Sequence, residues 1–280
     1  MIFNRTKKII ASLTSYPLRI NTVHLAIESI LAQTKKADKI ILWLSHEEFP
    51  NREQDLPLEL LTLRGWVEIG WCDNIRSYKK LISALKKYPD DIIITFDDDL
   101  IFNEKTIELL YTCHKKYKND IIAHRITRMF YNERDELDIF PRHHYYSNQD
   151  QTDYLSTLKE PSFFNKLSGG AGCLYPPACF HSDVLDDKEF MYLAPTSDDI
   201  WFWLQAVRNK TRIRVPAVHL PVLQYIPGTQ EVGLFHINDT GEKLFFVHLR
   251  SIIKHYPEII KIMRCDCRKN DKTINSIKRW

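Results

Sequence analysis

The run Asp91-Ile-Ile-Ile-Thr-Phe-Asp97-Asp98-Asp99 constrains this chain more than any other stretch, because an unbroken β-favouring segment stops abruptly in three acids. It is too short for a helix and lacks the helical period, so it reads as a strand buried on both faces, as in a parallel sheet. The acids then lie at the strand's carboxyl end, the edge where open α/β sheets bind ligands. Adjacent carboxylates repel one another unless a cation sits between them, and oxygen-only ligands suit Mg2+ or Mn2+, which bridge phosphates. The other reading is a solvated acidic turn.

The residues leading to this strand repeat one pattern. Lys8 to Thr14 is a short β run that breaks at Ser15-Tyr16-Pro17, and Val23, Ala26, Ile27, Ile30 and Leu31 follow at helical spacing with Asn21 as N-cap. Lys39 to Ser45 is a second strand, Leu58 to Leu63 a short helix, and Trp66 to Gly70 a third strand. Tyr78, Leu81, Ile82 and Leu85 form the helical stripe that delivers the chain into the acidic strand. Strands alternating with helices at this spacing indicate βαβ units and a mainly parallel sheet flanked by helices, with a nucleotide-binding half over about residues 1–103.

With 280 residues, 44% of them hydrophobic, the chain can bury one full core with elaborations. A formal charge of +3 gives no field for nucleic acid. No apolar run approaches a membrane span and Met1 to Lys8 lacks a signal-peptide core, so the expectation is a cytoplasmic protein. The six cysteines form no CxxC pair and read as reduced thiols.

The opening Ile-Ile-Ala-Ser-Leu-Thr strand, the Tyr-Lys-Lys-Leu helix and Phe-Asp-Asp-Asp together resemble a GT-A glycosyltransferase, similar to bacterial family 2-like sugar transferases, over about residues 7–240. The resemblance implies that the acids are the DxD element, with Asp97 and Asp99 as the pair that meets ribose and metal and Asp98 between them. It also implies that Thr14 and Tyr16 hold the base. Arg19, Arg76 and Lys80 stand near strand ends where a diphosphate needs positive charge, each open to a second reading as a solvated side chain. Asp73, just after the third strand, is either a base or ribose ligand or a turn residue.

Further on, Asn103 is expected to cap a helix through Ile107, Leu110 and Tyr111, and Asp120 to His124 to form a strand. From Arg125 to Leu167 the period fades in a stretch dense in aromatic and polar residues. Pro141 to Tyr146 within it is either an acceptor contact or a packed insertion. Three of the chain's eight glycines fall between Ser168 and Gly172, which points to close approach of backbone to a ligand. The family places such a segment, here Gly169 and Gly170, under the donor sugar and acceptor. Leu174-Tyr175 then resumes a strand.

Asp198 and Asp199 sit in the first turn of a helix capped by Ser197 or Thr196, with Ile200 to Leu204 packing behind them. First-turn acids are favoured by the helix dipole alone, which would also lower their pKa. The resemblance makes Asp199 the catalytic base, with Asp198 on sugar hydroxyls; the family's usual Glu-Asp pair is Asp-Asp here. Arg212 to Val218 reads as a further strand. Many GT-A enzymes add a late histidine to the metal, and His219 or, preferred, His236 is the candidate. The GT-A domain is expected to span 1–242, with an acceptor half from about 104, followed by a basic helical tail over 243–280 that is either solvated or rests on an anionic membrane surface.

The function implied is transfer of a sugar, of hexosyl or N-acetylhexosaminyl type, from a nucleotide donor, UDP-linked, to a glycan or glycolipid acceptor in polysaccharide or lipopolysaccharide synthesis. It would need Mn2+ or Mg2+ and proceed with inversion. A metal-dependent nucleotidyltransferase or phosphohydrolase would use the same acids, and a non-catalytic carbohydrate-binding protein is the third reading.

Overall fold

The computed structural model describes residues 5–139, 160–220, 223–232 and 244–266. In chain order the elements are β1 (Ile9–Thr14), α1 (Val23–Leu31), β2 (Lys39–Ser45), α2 (Leu58–Leu61), β3 (Glu68–Cys72), α3 (Lys79–Lys87), β4 (Ile92–Phe96) and β5 (Leu100–Ile101). Then come α4 (Thr106–Lys116), β6 (Ile121–Ala123), β7 (Ile126–Tyr131), β8 (Leu137–Ile139), β9 (Asn165–Leu167) and β10 (Ala171–Tyr175). The chain continues through α5 (Asp187–Leu193), α6 (Asp198–Arg208), β11 (Ile213–Arg214), β12 (Gln224–Tyr225) and α7 (Leu244–His255), with further helix α8 over 258–266.

Seven strands form the central sheet in the order β11-β6-β10-β4-β1-β2-β3. Its β4-β1-β2-β3 half is parallel, and β10 runs antiparallel to both of its neighbours, β4 and β6. Every residue of β4 is buried, as its apolar run requires. One face of the sheet is covered by α1, α2 and α4, which bury Val23, Ile27, Leu60 and Leu110 against it. The other is covered by α3, α5, α6 and α7 around Leu81, Phe190, Trp201 and Trp203. The result is three layers, with each face of the sheet supplying its own core.

Several boundaries move from their expected places. The third strand begins at Glu68, not Trp66, a residue 72% exposed. The N-caps of α1 and α4 are Thr22 and Lys105 rather than Asn21 and Asn103, and the strand expected from Arg212 is two residues long. The stretch after Arg125 carries β7, β8 and β9, a small antiparallel sheet that the fading period conceals. β10 starts at Ala171, so the glycines lead directly into a strand. Its pairing with β4 shifts register between Ala171 and Cys173, where Gly172 takes a φ of 90° open only to glycine without strain.

α6 is the most deeply packed helix near the acids, and its aromatic rings are also hydrogen-bonded. The Trp203 indole donates to the Phe163 carbonyl at 2.7 Å and the Trp201 indole to that of Val184 at 3.1 Å. Trp203→Ala is therefore expected to cost about 3–5 kcal/mol, read as a lowered urea midpoint at unchanged slope. The expected tail begins as part of this core: Leu249 and Ile252 of α7 and Ile259 and Met263 of α8 are buried in it. Among the described residues no helix is long and apolar enough to cross a membrane.

Candidate active site

Two acidic groups more than ninety residues apart in sequence converge at the carboxyl end of β4. Asp97 leaves the strand with its backbone N–H donating to the Gly170 carbonyl at 2.9 Å, which extends the β4–β10 pairing by one step. Asp198 and Asp199 open α6. Between the two groups lies the Lys80 ammonium of α3, 2.8 Å from Asp97 Oδ1 and 3.2 Å from Asp198 Oδ2. Burial alone would lower the pKa of this amine; the flanking Asp198 and Asp97 outweigh it and hold Lys80 well above its ordinary value. Lys80 is thus a buried bridge between the acids and not a surface lysine.

The three acids of the strand end differ in environment. Asp97 is the most open, its side chain 41% exposed. Asp98 is buried, with Ser15 Oγ donating to one oxygen at 2.6 Å and Arg19 to the other at 2.9 Å, so it anchors the loop after β1. Asp99 accepts from Gln230 at 3.0 Å and pairs with the same Arg19 guanidinium at 3.0 Å. Burial first, then the nearby charge of Asp97, raises Asp99 to about 6. Arg19 also donates to the Thr229 carbonyl at 3.0 Å, tying the first loop to the segment after β12.

A Cβ built on Gly170 would lie 1.5 Å from Asp97 Oδ2, so the missing side chain makes room for that carboxylate. Gly169 donates its N–H to Asp199 Oδ1 at 2.9 Å, and a Cβ on it would meet that same oxygen and the Tyr175 hydroxyl, each at 3.1 Å. Asp199 is raised in pKa, the reverse of the helix-dipole expectation; burial dominates, with Asp198 adding to it and Lys166 and Lys80 opposing. Ser197 is the N-cap as expected, but its hydroxyl meets His248 of α7 at 2.8 Å and makes no capping bond within its own helix. The Tyr78 hydroxyl donates to the Ala194 carbonyl at 2.7 Å and its ring stacks on Phe190, fixing the approach to α6.

The remaining expected residues are spread wider. Thr14 donates its hydroxyl to the Trp43 carbonyl at 2.8 Å, and Tyr16 lies beneath the Arg19 guanidinium. Arg76 is exposed, holds a φ of 55° and reaches the Pro195 carbonyl at 3.5 Å, close in sequence to the α6 acids. Asp73 opens onto a separate groove of about 500 Å³ beside Trp43, His46 and Lys86, which none of the clustered aspartates lines. His236 and Pro141 to Tyr146 lie outside the described residues, as does the end of the chain from 267. Ser15, Gln230 and Lys166 belong to the site without a sequence signal; Lys166 is buried, 3.9 Å from Asp199 Oδ2.

Among the described residues no group of three or more His, Cys, Asp or Glu side chains is arranged to enclose a metal ion. A Mg2+ or Mn2+ ion of the kind held by one or two carboxylates and completed by substrate phosphates would take Asp97, the most open of the strand-end acids, beside Asp99, which is already shared with Arg19 and Gln230. The cations that the carboxylates of Asp97, Asp98, Asp99, Asp198 and Asp199 meet include Arg19, Lys80 and Lys166.

A mostly parallel seven-stranded sheet between helical layers, with acids at the carboxyl edge of β4, is a GT-A-like α/β fold. The chain is similar to S. aureus TarS 1–349, with 15% identity over 95% of this chain and 73% of that one and a TM-score of 0.51. It is also similar to CMP:2-keto-3-deoxy-manno-octonic acid synthetase complexed with CTP, with 14% identity over 83% of this chain and 98% of that one and a TM-score of 0.46. No family model and no curated protein matches the sequence.

Proposed function

We propose that this chain is a metal-dependent, inverting glycosyltransferase that moves a sugar from a UDP-linked donor to a glycan acceptor of the surface polysaccharide or lipopolysaccharide type. The observation that carries the reading is the convergence of the strand-end acids and the α6 acids on Lys80 and the Gly169-Gly170 pair. A phosphate-releasing enzyme needs the first group; a base facing an acceptor gives the second group a purpose. The UDP and acceptor assignments rest on the family resemblance.

In this mechanism Asp199 Oδ1 stays on the Gly169 N–H while Oδ2 takes the proton of an acceptor hydroxyl. The acceptor oxygen forms a bond to the anomeric carbon as the bond from that carbon to the diphosphate breaks, and the electron pair leaves with the nucleoside diphosphate. Asp97 and Asp99 would hold a Mn2+ or Mg2+ ion, which supplies charge neutralisation at the diphosphate. Arg19 and Asp98 set the loop after β1, and Lys80 fixes the distance between the two acidic groups.

A thermal-shift panel of UDP, GDP, CDP and their sugars, with and without Mn2+, tests the reading. The expected result is stabilisation by UDP that requires Mn2+ and is lost in Asp99→Asn, each shift being read against that protein's own ligand-free melting temperature. Undiminished Mn2+-dependent stabilisation in that variant would remove Asp99 from the metal site. Release of pyrophosphate or phosphate in place of UDP would favour a nucleotidyltransferase or phosphohydrolase.

A further inference from the structure

We propose that Lys166 is a positioning residue that keeps Asp199 ionised and its Oδ2 available to the acceptor hydroxyl, an inference that rests on the glycosyl-transfer reading above. The two oxygens of Asp199 are used differently. Oδ1 accepts the Gly169 N–H at 2.9 Å, while Oδ2 faces the Lys166 ammonium at 3.9 Å, a distance that gives charge attraction without a hydrogen bond. An amine at hydrogen-bond distance would compete for the lone pair that must take the acceptor's proton; one slightly further away favours the anion and leaves that lone pair open.

Lys166 is itself held in place. It lies on β9, three residues before Gly169, with 8% of its surface exposed; it donates to the Leu167 carbonyl at 3.3 Å and stands over the Phe245 ring of α7. Burying an ammonium here is costly unless it is paired, and Asp199 is the acid it meets. The other groups facing Asp199 do not replace it. Lys80 is already shared by Asp97 and Asp198, Asp198 is a like charge, and Tyr78, Tyr175 and Cys173 are neutral, each raised in pKa by burial. Burial lowers the pKa of Lys166 and the charge of Arg125 adds to this, while Asp199 opposes both.

The test is the pH dependence of kcat in wild type, Lys166→Met and Lys166→Arg, with Mn2+-dependent UDP affinity and melting temperature measured alongside. Loss of the positive partner raises the pKa of Asp199, so the acid limb of kcat in Lys166→Met should move up by about one pH unit or more. Turnover is then about tenfold lower below the limb and approaches wild type at high pH. Lys166→Arg should restore the limb, and UDP affinity should stay constant in both. Lys166→Gln serves as the neutral variant should Lys166→Met fail to fold. A limb that stays in place, or a loss equal at every pH, would overturn the proposal and leave Lys166 as packing. Asp199→Asn in the same assay separates the two readings: if it keeps the wild-type rate, glycosyl transfer with Asp199 as base fails, whereas a dead Asp199→Asn beside an unmoved limb refutes the role of Lys166 alone.

Discussion

Asp199→Asn is expected to lower turnover by about two to four orders of magnitude, the usual contribution of a general base, while Mn2+-dependent UDP binding stays near the wild-type value. The separation follows from position. Asp199 meets Gly169 and Lys166, whereas the Lys80 ammonium pairs with Asp97 and Asp198. Burial raises its pKa, so the acid limb of kcat should lie above the roughly 3.9 of a free aspartate. Asp198→Asn should cost less in kcat and more in acceptor affinity. Near-normal sugar transfer by Asp199→Asn would exclude it as the base, and product stereochemistry read by NMR would then decide whether a retaining path replaces the inverting one.

The second large effect is expected from a single methyl group. Gly170→Ala puts a Cβ where Asp97 Oδ2 now sits, 1.5 Å away, and that carboxylate is also held by Lys80. It must swing away from its position, and with it goes a charged ligand worth about 2–3 kcal/mol, or roughly 30- to 150-fold in Kd for Mn2+-UDP. Gly169→Ala meets its neighbours at 3.1 Å and should instead spare UDP binding and lower turnover by disturbing Asp199. Isothermal titration of both variants beside Asp97→Asn measures the difference; wild-type affinity in Gly170→Ala would mean that Asp97 contributes no contact to the bound nucleotide.

The parts of this molecule that could be read from sequence are those in which one residue type does one job. β4 is buried throughout, and apolar but for Thr95, because both of its faces are covered, so its ending in acids is visible, as are α1 and α3 from their spacing. β9 could not be found in this way. It is three residues long and buries Asn165 and Lys166 beside Leu167, because those polar groups find partners that no local pattern announces: Asn165 donates to the Ile213 carbonyl and Lys166 faces Asp199. In sequence Lys80 is equally at home on a solvated helix face; its pairing with Asp97 and the distant Asp198 makes it a buried ion. The glycine cluster reads as a place of close backbone approach, but that Asp97 stands against Gly170 depends on strand pairing that sequence does not display.

The reversed direction of β10 has a consequence for how this site tolerates changes in chain length. Because the strand runs against β4, its first residues stand beside the last residues of β4, and the bulge at Gly172 sets which of them meets Asp97. One residue gained or lost between Gly169 and Cys173 would turn alternate side chains to the opposite face of the sheet and hand Asp97 and Asp199 to the wrong neighbours. The two acidic groups are thus kept in step by counting: five consecutive positions of this strand and its approach act as a fixed ruler whose length an insertion would change.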